Sequence, residues 1–182
     1  TDTDTDTDTG AGDTAGAGDT GDSAVVDTGP AGIDIDELEA GDLIITEIMV
    51  RPMDCADQDA EYFEIYNASD VHVALYGLTI SDSSGSNTVT DSAVVLAGGY
   101  ALGARVSSGV QCHDLDYDFT YSRPLTDSGD SLTLTNSTET LDEVDFTTWT
   151  LAEGAALSLD PDSISASDND DEANWCEATT LL

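Results

Sequence analysis

The sequence predicts an all-β fold, an antiparallel β-sandwich of about nine short strands that follows a disordered acidic tail. Three observations support this prediction. Short apolar runs recur about every 8 to 15 residues between clusters of Gly, Ser, Asn and Asp, which is the spacing of strands and turns in a sandwich. Thr, Val, Ile, Leu and Tyr, which favour strands, are abundant. No segment shows the apolar period of an amphipathic helix.

Residues 1–40 are predicted to be a disordered acidic linker, and residues 41–182 to be the sandwich domain. The linker begins with alternating Thr and Asp from Thr1 to Thr9 and continues with repeats of Gly, Ala, Asp and Thr. Both faces of a strand with this alternation would be polar, so no apolar burial would offset the entropy lost on ordering. Residues 33–40 are interpreted as a short transition into the folded domain.

The strands are predicted wherever an apolar run of strand length lies between turn-forming residues. In chain order these runs are residues 43–50, 61–66, 71–80, 94–97, 100–105, 116–121, 131–135, 141–146 and 156–159. The side chains expected to form the core are Ile45, Ile48, Phe63, Ile65, Leu75, Leu78, Ile80, Val95, Leu102, Leu132, Leu134, Val144, Phe146, Leu157 and Leu159.

Four features mark the connections between these strands. Asn67, which precedes Ser69 and Asp70, is predicted to start an Asx-type turn. Gly77 is predicted to permit a bulge or a close backbone approach inside the third run. Residues 81–87 are predicted to be a polar loop, and residues 128–130 a hairpin turn.

The charge of the chain excludes several classes of function. It carries 39 acidic residues against three basic ones, Arg51, Arg105 and Arg123, and its formal net charge is -36. Such a field repels nucleic acids and anionic membrane surfaces, so neither is expected as a partner. It attracts divalent cations and basic partners instead. The absence of Lys also excludes lysine-dependent covalent chemistry.

The cysteines favour an oxidising compartment. The chain has three, Cys55, Cys112 and Cys176, so at most one disulfide can close within it. The acidic composition favours a disulfide in a secreted protein over free thiols, but the spacing leaves the choice of pair open. No apolar run is long enough to span a membrane. We therefore expect an extracellular or cell-surface location.

The sequence does not predict an enzyme. Only two histidines are present, His72 and His113, and no Gly-x-Ser-x-Gly motif accompanies them. The ligand spacing of a zinc site is also absent. Glu47 and Glu64 lie inside apolar strands, where we expect each to bind backbone amides or an Arg at a sheet edge rather than to form a catalytic pair.

Calcium is the one metal for which the sequence offers candidate ligands, and no cofactor is otherwise expected. Two segments crowd carboxylates together, and calcium prefers hard oxygen ligands on flexible loops. The alternative is that both segments are solvated acidic loops, since acids are common throughout the chain. The candidate ligands are Asp54, Asp57, Asp59 and Glu61 in the first segment and Asp160, Asp162, Asp168 and Asp170 in the second.

An ordered series of short stretches resembles the lamin-tail domain, a family known from nuclear lamins and bacterial secreted proteins. The stretches are residues 44–49, 61–67, 75–82, 96–100, 125–132, 141–145, 154–160 and 175–176. The resemblance implies an immunoglobulin-like sandwich. The Thr-Asp lead-in is similar to the tether of bacterial surface lipoproteins, which implies a lipid anchor upstream. The Thr-Pro-Gly-like close that usually follows the family's Trp is missing, so we expect either a truncated C-terminal end or an end that differs from that of the family.

These observations together predict a non-catalytic module for surface display, adhesion or binding, held on a flexible tether. Its expected partner is a cell-surface protein or glycan. Two alternatives stay open: an accessory targeting domain of a larger secreted hydrolase, and a calcium-dependent carbohydrate- or protein-binding domain. A sandwich hosts many functions, so neither the ligand nor the oligomeric state follows from the fold.

Overall fold

A computed structural model describes residues 31–178, and within them it contains twelve strands and four 3-10 turns. The 3-10 turns are Ile35–Glu37, Asp57–Asp59, Pro161–Ser163 and Glu172–Asn174. The strands are β1 (Leu43–Met49), β2 (Tyr62–Asn67), β3 (Val73–Ala74), β4 (Thr79–Asp82), β5 (Gly85–Thr88), β6 (Val94–Val95), β7 (Tyr100–Arg105), β8 (Phe119–Tyr121), β9 (Ser131–Thr135), β10 (Thr140–Asp145), β11 (Leu157–Leu159) and β12 (Trp175–Glu177).

Two sheets form the layers of the sandwich, and the predicted all-β, immunoglobulin-like class is confirmed. The larger sheet has the strand order β12-β11-β1-β2-β7-β8, and the smaller has the order β10-β9-β4-β5. A two-stranded ladder of β3 and β6 is not hydrogen-bonded into either sheet. Every strand pair is antiparallel except β7 with β8. Residues 31–178 hold no helix long and apolar enough to cross a membrane.

The core lies between the two sheets, and the predicted apolar positions fill it. Every predicted core side chain is buried except that of Leu102, which is only partly buried and packs beside a small separate cluster. The Phe63 ring on β2 packs in the core against two other aromatic rings. Its centroid lies 5.7 Å from that of Phe119 and 5.0 Å from that of Tyr121. Gly103 makes room for this contact, because a Cβ there would lie 2.5 Å from the Phe119 ring.

The folded part begins earlier than the boundary at Gly41 that the sequence predicted. Ile33 pairs with Val73, and the side chains of Ile35 and Leu38 are buried in the core. The Asn136 side-chain amide donates to the carbonyls of Ile35 and Leu38 at 3.2 and 3.0 Å. Two apolar residues among acidic neighbours are a weak signal, and their burial depends on a residue about a hundred positions away. The predicted tail at residues 1–30 lies outside the described residues.

Three predicted connections differ from the structure. Gly77 breaks residues 71–80 as predicted, but it lies in a turn at φ +95 that separates two strands, β3 and β4, rather than inside one strand. The predicted close approach is present, since a Cβ at Gly77 would lie 3.2 Å from Ile35. The predicted loop at residues 81–87 is largely the hairpin of β4 and β5, in which the Asp82 carboxylate accepts from the amides of Ser84 and Gly85. The turn at residues 128–130 precedes β9 but does not connect paired strands, since β8 pairs with β7.

The Asx-type turn at Asn67 is confirmed. The Ser69 amide donates to Asn67 Oδ1 at 3.1 Å, and Asn67 Nδ2 donates to the Val71 carbonyl at 2.7 Å. Asn67 is fully buried, so these bonds satisfy a polar side chain that water cannot reach. The turn ends β2 and leads the chain to the β3 and β6 ladder.

Candidate functional site

The larger sheet has a second surface that faces away from the core, which we call the outer face. Side chains alternate along each strand, so those between the core positions of β1, β2 and β7 point to this surface. Strand register places them in a row across the sheet. The row and its neighbours consist of Glu47, Glu64, Tyr66, Tyr100, Leu102, Ser158 and Cys176.

Glu47 and Glu64 are directly opposite each other on β1 and β2. Three hydroxyls hold their carboxylates in place. Tyr62 donates to Glu47 Oε1 at 2.6 Å and Ser158 donates to Glu47 Oε2 at 2.7 Å. Thr46, which a bulge in β1 places beside Glu47, donates to Glu64 Oε1 at 2.7 Å. Two half-buried carboxylates are therefore fixed side by side on one surface.

The two carboxylates of this pair repel each other. Burial raises the pKa of the Glu64 carboxyl, the Thr46 hydroxyl opposes that rise, and the Glu47 carboxylate adds to it. Burial and the bond to Glu47 also raise the pKa of the Tyr62 hydroxyl, which keeps Tyr62 protonated as a donor. Like charges directly opposite on neighbouring strands destabilise a sheet. No positive charge beside the pair offsets this repulsion.

No Arg or Lys side chain of the chain is free to supply that charge. Arg51 donates to the Leu151 carbonyl at 2.8 Å and lies 4.0 Å from Glu153. Arg105 binds Glu61 at 2.8 Å. Arg123 lies 3.4 Å from Asp82 and also contacts Ser84. The sequence holds no other Arg and no Lys, so all its Arg and Lys side chains are engaged away from the outer face.

Two tyrosine rings lie beside the carboxylate pair. Tyr66 on β2 and Tyr100 on β7 are opposite each other, with ring centroids 4.9 Å apart and a tilt of 46°. Tyr100 is 51 % exposed, and Leu96 nearby in sequence is 48 % exposed. Burial, with the Glu64 carboxylate as the next cause, raises the pKa of Tyr100, which shows that the ring lies within the field of that carboxylate.

The segment 106–118 covers one end of the outer face. A disulfide joins Cys55 to Cys112 with the Cα atoms 6.1 Å apart, which settles the pairing that the sequence left open. Cys176 is an exposed free thiol. Leu115 of the covering segment packs on a small apolar cluster that contains Met49 and Tyr62. The segment therefore borders the carboxylate pair and is attached to the sandwich by a covalent bond.

The prediction for Glu47 and Glu64 was wrong about their partners. They bind hydroxyls rather than backbone amides or an Arg. The sequence did place both inside apolar strands, but their direct opposition depends on strand register, which a single strand does not reveal. The repeated pattern of Glu before Ile in both runs is the one signal that could have suggested a shared face.

The first predicted calcium segment is split between the surface and the interior. Asp54 and Asp57 are exposed and line a pocket of about 440 Å³. Asp59 turns to the covering segment, where the Ser108 amide donates to it at 2.6 Å and holds the pKa of its carboxyl below the usual value. Glu61 is buried, and its burial raises the carboxyl pKa to about 7 despite the Arg105 guanidinium.

The second predicted calcium segment serves mainly to cap turns. The Asp160 carboxylate accepts from the Asp162 amide at 2.9 Å, and Asp162 itself is exposed. The Asp168 carboxylate accepts from the Ser165 hydroxyl at 2.9 Å. Asp170 lines a different pocket with Asp142. Among residues 31–178, no three His, Cys, Asp or Glu side chains converge on one point as metal ligands. Calcium binding at these residues stays a prediction.

Comparison with known proteins gives one match. The family model described as Lamin Tail Domain matches residues 37–150, which cover β1 to β10 and thus most of both sheets. No curated protein matches the chain, and no solved structure does.

Proposed function

Because the chain belongs to the lamin tail domain family, we propose that it is a non-catalytic binding module that takes a positively charged segment of another protein on its outer face. The family match and the immunoglobulin-like fold identify a binding or structural module. The partner and the surface that receives it are our inference from the outer face.

The opposition of Glu47 and Glu64 carries this proposal. Two half-buried carboxylates face each other, hydroxyl donors fix their direction, and no Arg or Lys of the chain compensates them. An Arg or Lys of a partner placed between them would convert a repulsion into two attractions. The Tyr66 and Tyr100 rings lie beside the pair, and an aromatic face adds about 0.5–2 kcal/mol of attraction for a cation.

The same outer face favours a protein over a glycan as partner. A neutral sugar could stack on Tyr100, but it would not relieve the repulsion between Glu47 and Glu64. The net charge of -36 would also draw a basic segment towards the module from a distance, within the limits of salt screening. We therefore propose a basic protein segment as the occupant and treat glycan binding as an outcome of the test.

We also propose that the module works outside the cell, as part of a surface protein. The Cys55–Cys112 disulfide supports this location, because disulfides persist in oxidising environments. The strongly acidic composition fits a protein that must stay soluble there. A lipid anchor upstream and attachment to a larger secreted protein belong to the same proposal.

The proposal is tested by titrating the protein with a synthetic peptide that carries four Arg residues in a Gly-Ser background, at 0.15 M salt, with heat as the readout. The matched control peptide carries citrulline, which is uncharged, at the same four positions. The E47Q/E64Q variant should bind the Arg peptide at least tenfold more weakly than the wild type. The control variant E143Q/D162N removes the same charge from exposed positions elsewhere and should change affinity less than twofold.

Two results would overturn the proposal. If both variants weaken binding equally, the general acidic field attracts the peptide and the outer face has no special role. If the wild type binds neutral oligosaccharides from an envelope extract but not the Arg peptide, the occupant is a glycan.

A further inference from the structure

A pair of buried polar side chains connects the two sheets away from the outer face. Asp142 on β10 reaches β1, where the Ile45 amide donates to Asp142 Oδ2 at 2.7 Å. The Asn169 side-chain amide donates to the same Asp142 oxygen at 2.8 Å and to the Ile45 carbonyl at 3.3 Å. Asp142 is 2 % exposed and Asn169 is fully buried. Together they bind both backbone groups of Ile45, as a residue of a neighbouring strand would.

The other oxygen of each side chain has no partner. Asp142 Oδ1 and Asn169 Oδ1 are both buried and make no hydrogen bond within the described chain. Both donated bonds at Asp142 go to Oδ2. An unsatisfied buried acceptor is costly, and more so when it belongs to a charged group. These two oxygens therefore require a partner that the protein itself does not supply.

A pocket of about 330 Å³ opens beside Asp142, and its lining is acidic. Asp142, Glu143, Asp145 and Asp170 contribute carboxylates to the lining, and no Arg or His does. The pocket thus presents carboxylates and an excess of oxygen acceptors to whatever enters it.

We propose that this pocket binds a calcium ion through Asp142 Oδ1 and the Asp170 carboxylate, with water completing the coordination. Calcium takes six to eight oxygen ligands in flexible arrangements, and such sites commonly combine carboxylates, amide oxygens and water. The ion would fill the acceptor that is left buried at Asp142 and would separate two carboxylates that otherwise repel. Two acidic side chains, Asp142 and Asp170, would balance the charge of the ion.

This site retains Asp170 from the sequence prediction and replaces the other candidate ligands. Asp160, Asp162 and Asp168 cap turns or face solvent, and they do not line the pocket. The ion would tie β1 of one sheet, β10 of the other and the segment that leads to β12. It would therefore stabilise the contact between the sheets, independently of any partner at the outer face.

Terbium luminescence tests the site directly, because a tryptophan lies beside it. The Trp175 indole donates to the Asn169 carbonyl at 2.8 Å, and terbium, which replaces calcium, emits when a nearby excited indole transfers energy to it. The wild type should give saturable tryptophan-excited emission that calcium displaces. The D170N variant should weaken terbium binding at least tenfold, whereas D162N in the same segment should match the wild type.

A thermal melt provides the second readout and covers the case in which a variant folds poorly. Calcium at about 100 times its dissociation constant should raise the wild-type melting temperature by about 5 °C or more. The rise should be much smaller in D170N, whose substituted side chain is exposed and should leave the fold intact. If calcium does not raise the wild-type melting temperature, or if D170N responds like the wild type, the pocket holds water only and the proposal is wrong.

Discussion

Arg105 and Glu61 form a buried ion pair at the point where three parts of the sandwich meet. The Arg105 guanidinium donates to Glu61 Oε2 at 2.8 Å, and the Leu125 amide approaches the same oxygen at 3.3 Å. The side chains are 16 % and 1 % exposed. The pair joins the start of β2, the end of β7 and the segment before β9. Breaking such a pair leaves one charge buried and unpaired.

The R105Q substitution should therefore destabilise the protein strongly. At pH 8 Glu61 would be buried without its partner and would have either to stay ionised or to take up a proton, and breaking such a buried pair costs about 3 kcal/mol or more. The control R51Q removes a guanidinium that is 34 % exposed and 4.0 Å from Glu153, and it should cost at most about 1 kcal/mol. Urea unfolding of both variants measures the difference. Equal losses would show that the Glu61 pair contributes no more than a surface contact.

The stability contribution of Glu61 should depend on pH in a defined direction. Burial raises its pKa from 4.5 to about 7, while Arg105 and the Leu125 amide lower the pKa and Asp57 raises it. The folded protein then binds the Glu61 proton more tightly than the unfolded chain does. The contribution is fully present below pH 4.5 and is lost as the pH rises through about 7.

Unfolding free energies of the wild type and E61Q, measured between pH 4.5 and 7.5, test this direction. The wild type should lose stability relative to E61Q over that range, since Gln does not titrate. The other carboxylates titrate in both proteins and cancel in the comparison. A wild type that gains stability relative to E61Q as the pH rises would show that Arg105 outweighs burial at this site.

The Cys55–Cys112 disulfide should contribute substantially to stability. It closes a loop with a sequence separation of 57 residues, and native disulfides in small secreted domains typically contribute about 2–4 kcal/mol. The C55S/C112S variant should lose about that amount in guanidinium unfolding. It should also bind a hydrophobic dye more strongly, because Leu115 would no longer cover Met49 and Tyr62.

Cys176 provides the matched control for that experiment. Its thiol is free and exposed, so C176S should unfold like the wild type within about 0.5 kcal/mol. A loss in C176S comparable with that of the double variant would mean that the two results report thiol chemistry and not the loop closure.

The E64Q substitution should stabilise the free protein slightly. Gln retains an oxygen that accepts from Thr46, and it removes a charge that faces Glu47. Relief of a cross-strand like-charge pair is worth about 0.2–1 kcal/mol. Thermal unfolding at low salt measures the gain, which 1 M salt should diminish because it screens the repulsion. A destabilised E64Q would show that the Glu64 charge is already compensated in the free protein.

The sequence predicted those strands that a local pattern of residues marks. The run at residues 131–135 coincides with β9, because Ser or Thr alternates there with Leu. The run at residues 100–105 coincides with β7, whose start follows the turn residues Gly98 and Gly99. The sequence did not predict the burial of Ile35 and Leu38, which depends on Asn136. It also did not predict the β4–β5 hairpin, because the residues of β5 are polar. Such features depend on tertiary contacts that no local pattern reveals.

The candidate sites were harder to predict for the same reason. Glu47 meets Glu64 only through the register of β1 and β2. Asp142 contacts Ile45 across 97 positions of sequence, and Asn169 joins them from 27 positions further along. The crowded carboxylates near Asp54 remain untested as metal ligands, and two of them already have protein partners, Asp59 the Ser108 amide and Glu61 the Arg105 guanidinium. A local cluster of acidic residues is weak evidence for a metal site in a chain that has 39 acidic residues.

Mapping the peptide on the protein by NMR tests the central claim most directly. Amide chemical shifts of the isotope-labelled protein would be followed during titration with the four-Arg peptide. We predict that the largest changes fall on β1, β2 and β7, around Glu47, Glu64, Tyr66 and Tyr100, and that they vanish with the citrulline peptide. Changes spread evenly over the acidic surface, or centred on a segment outside the larger sheet, would contradict the claim.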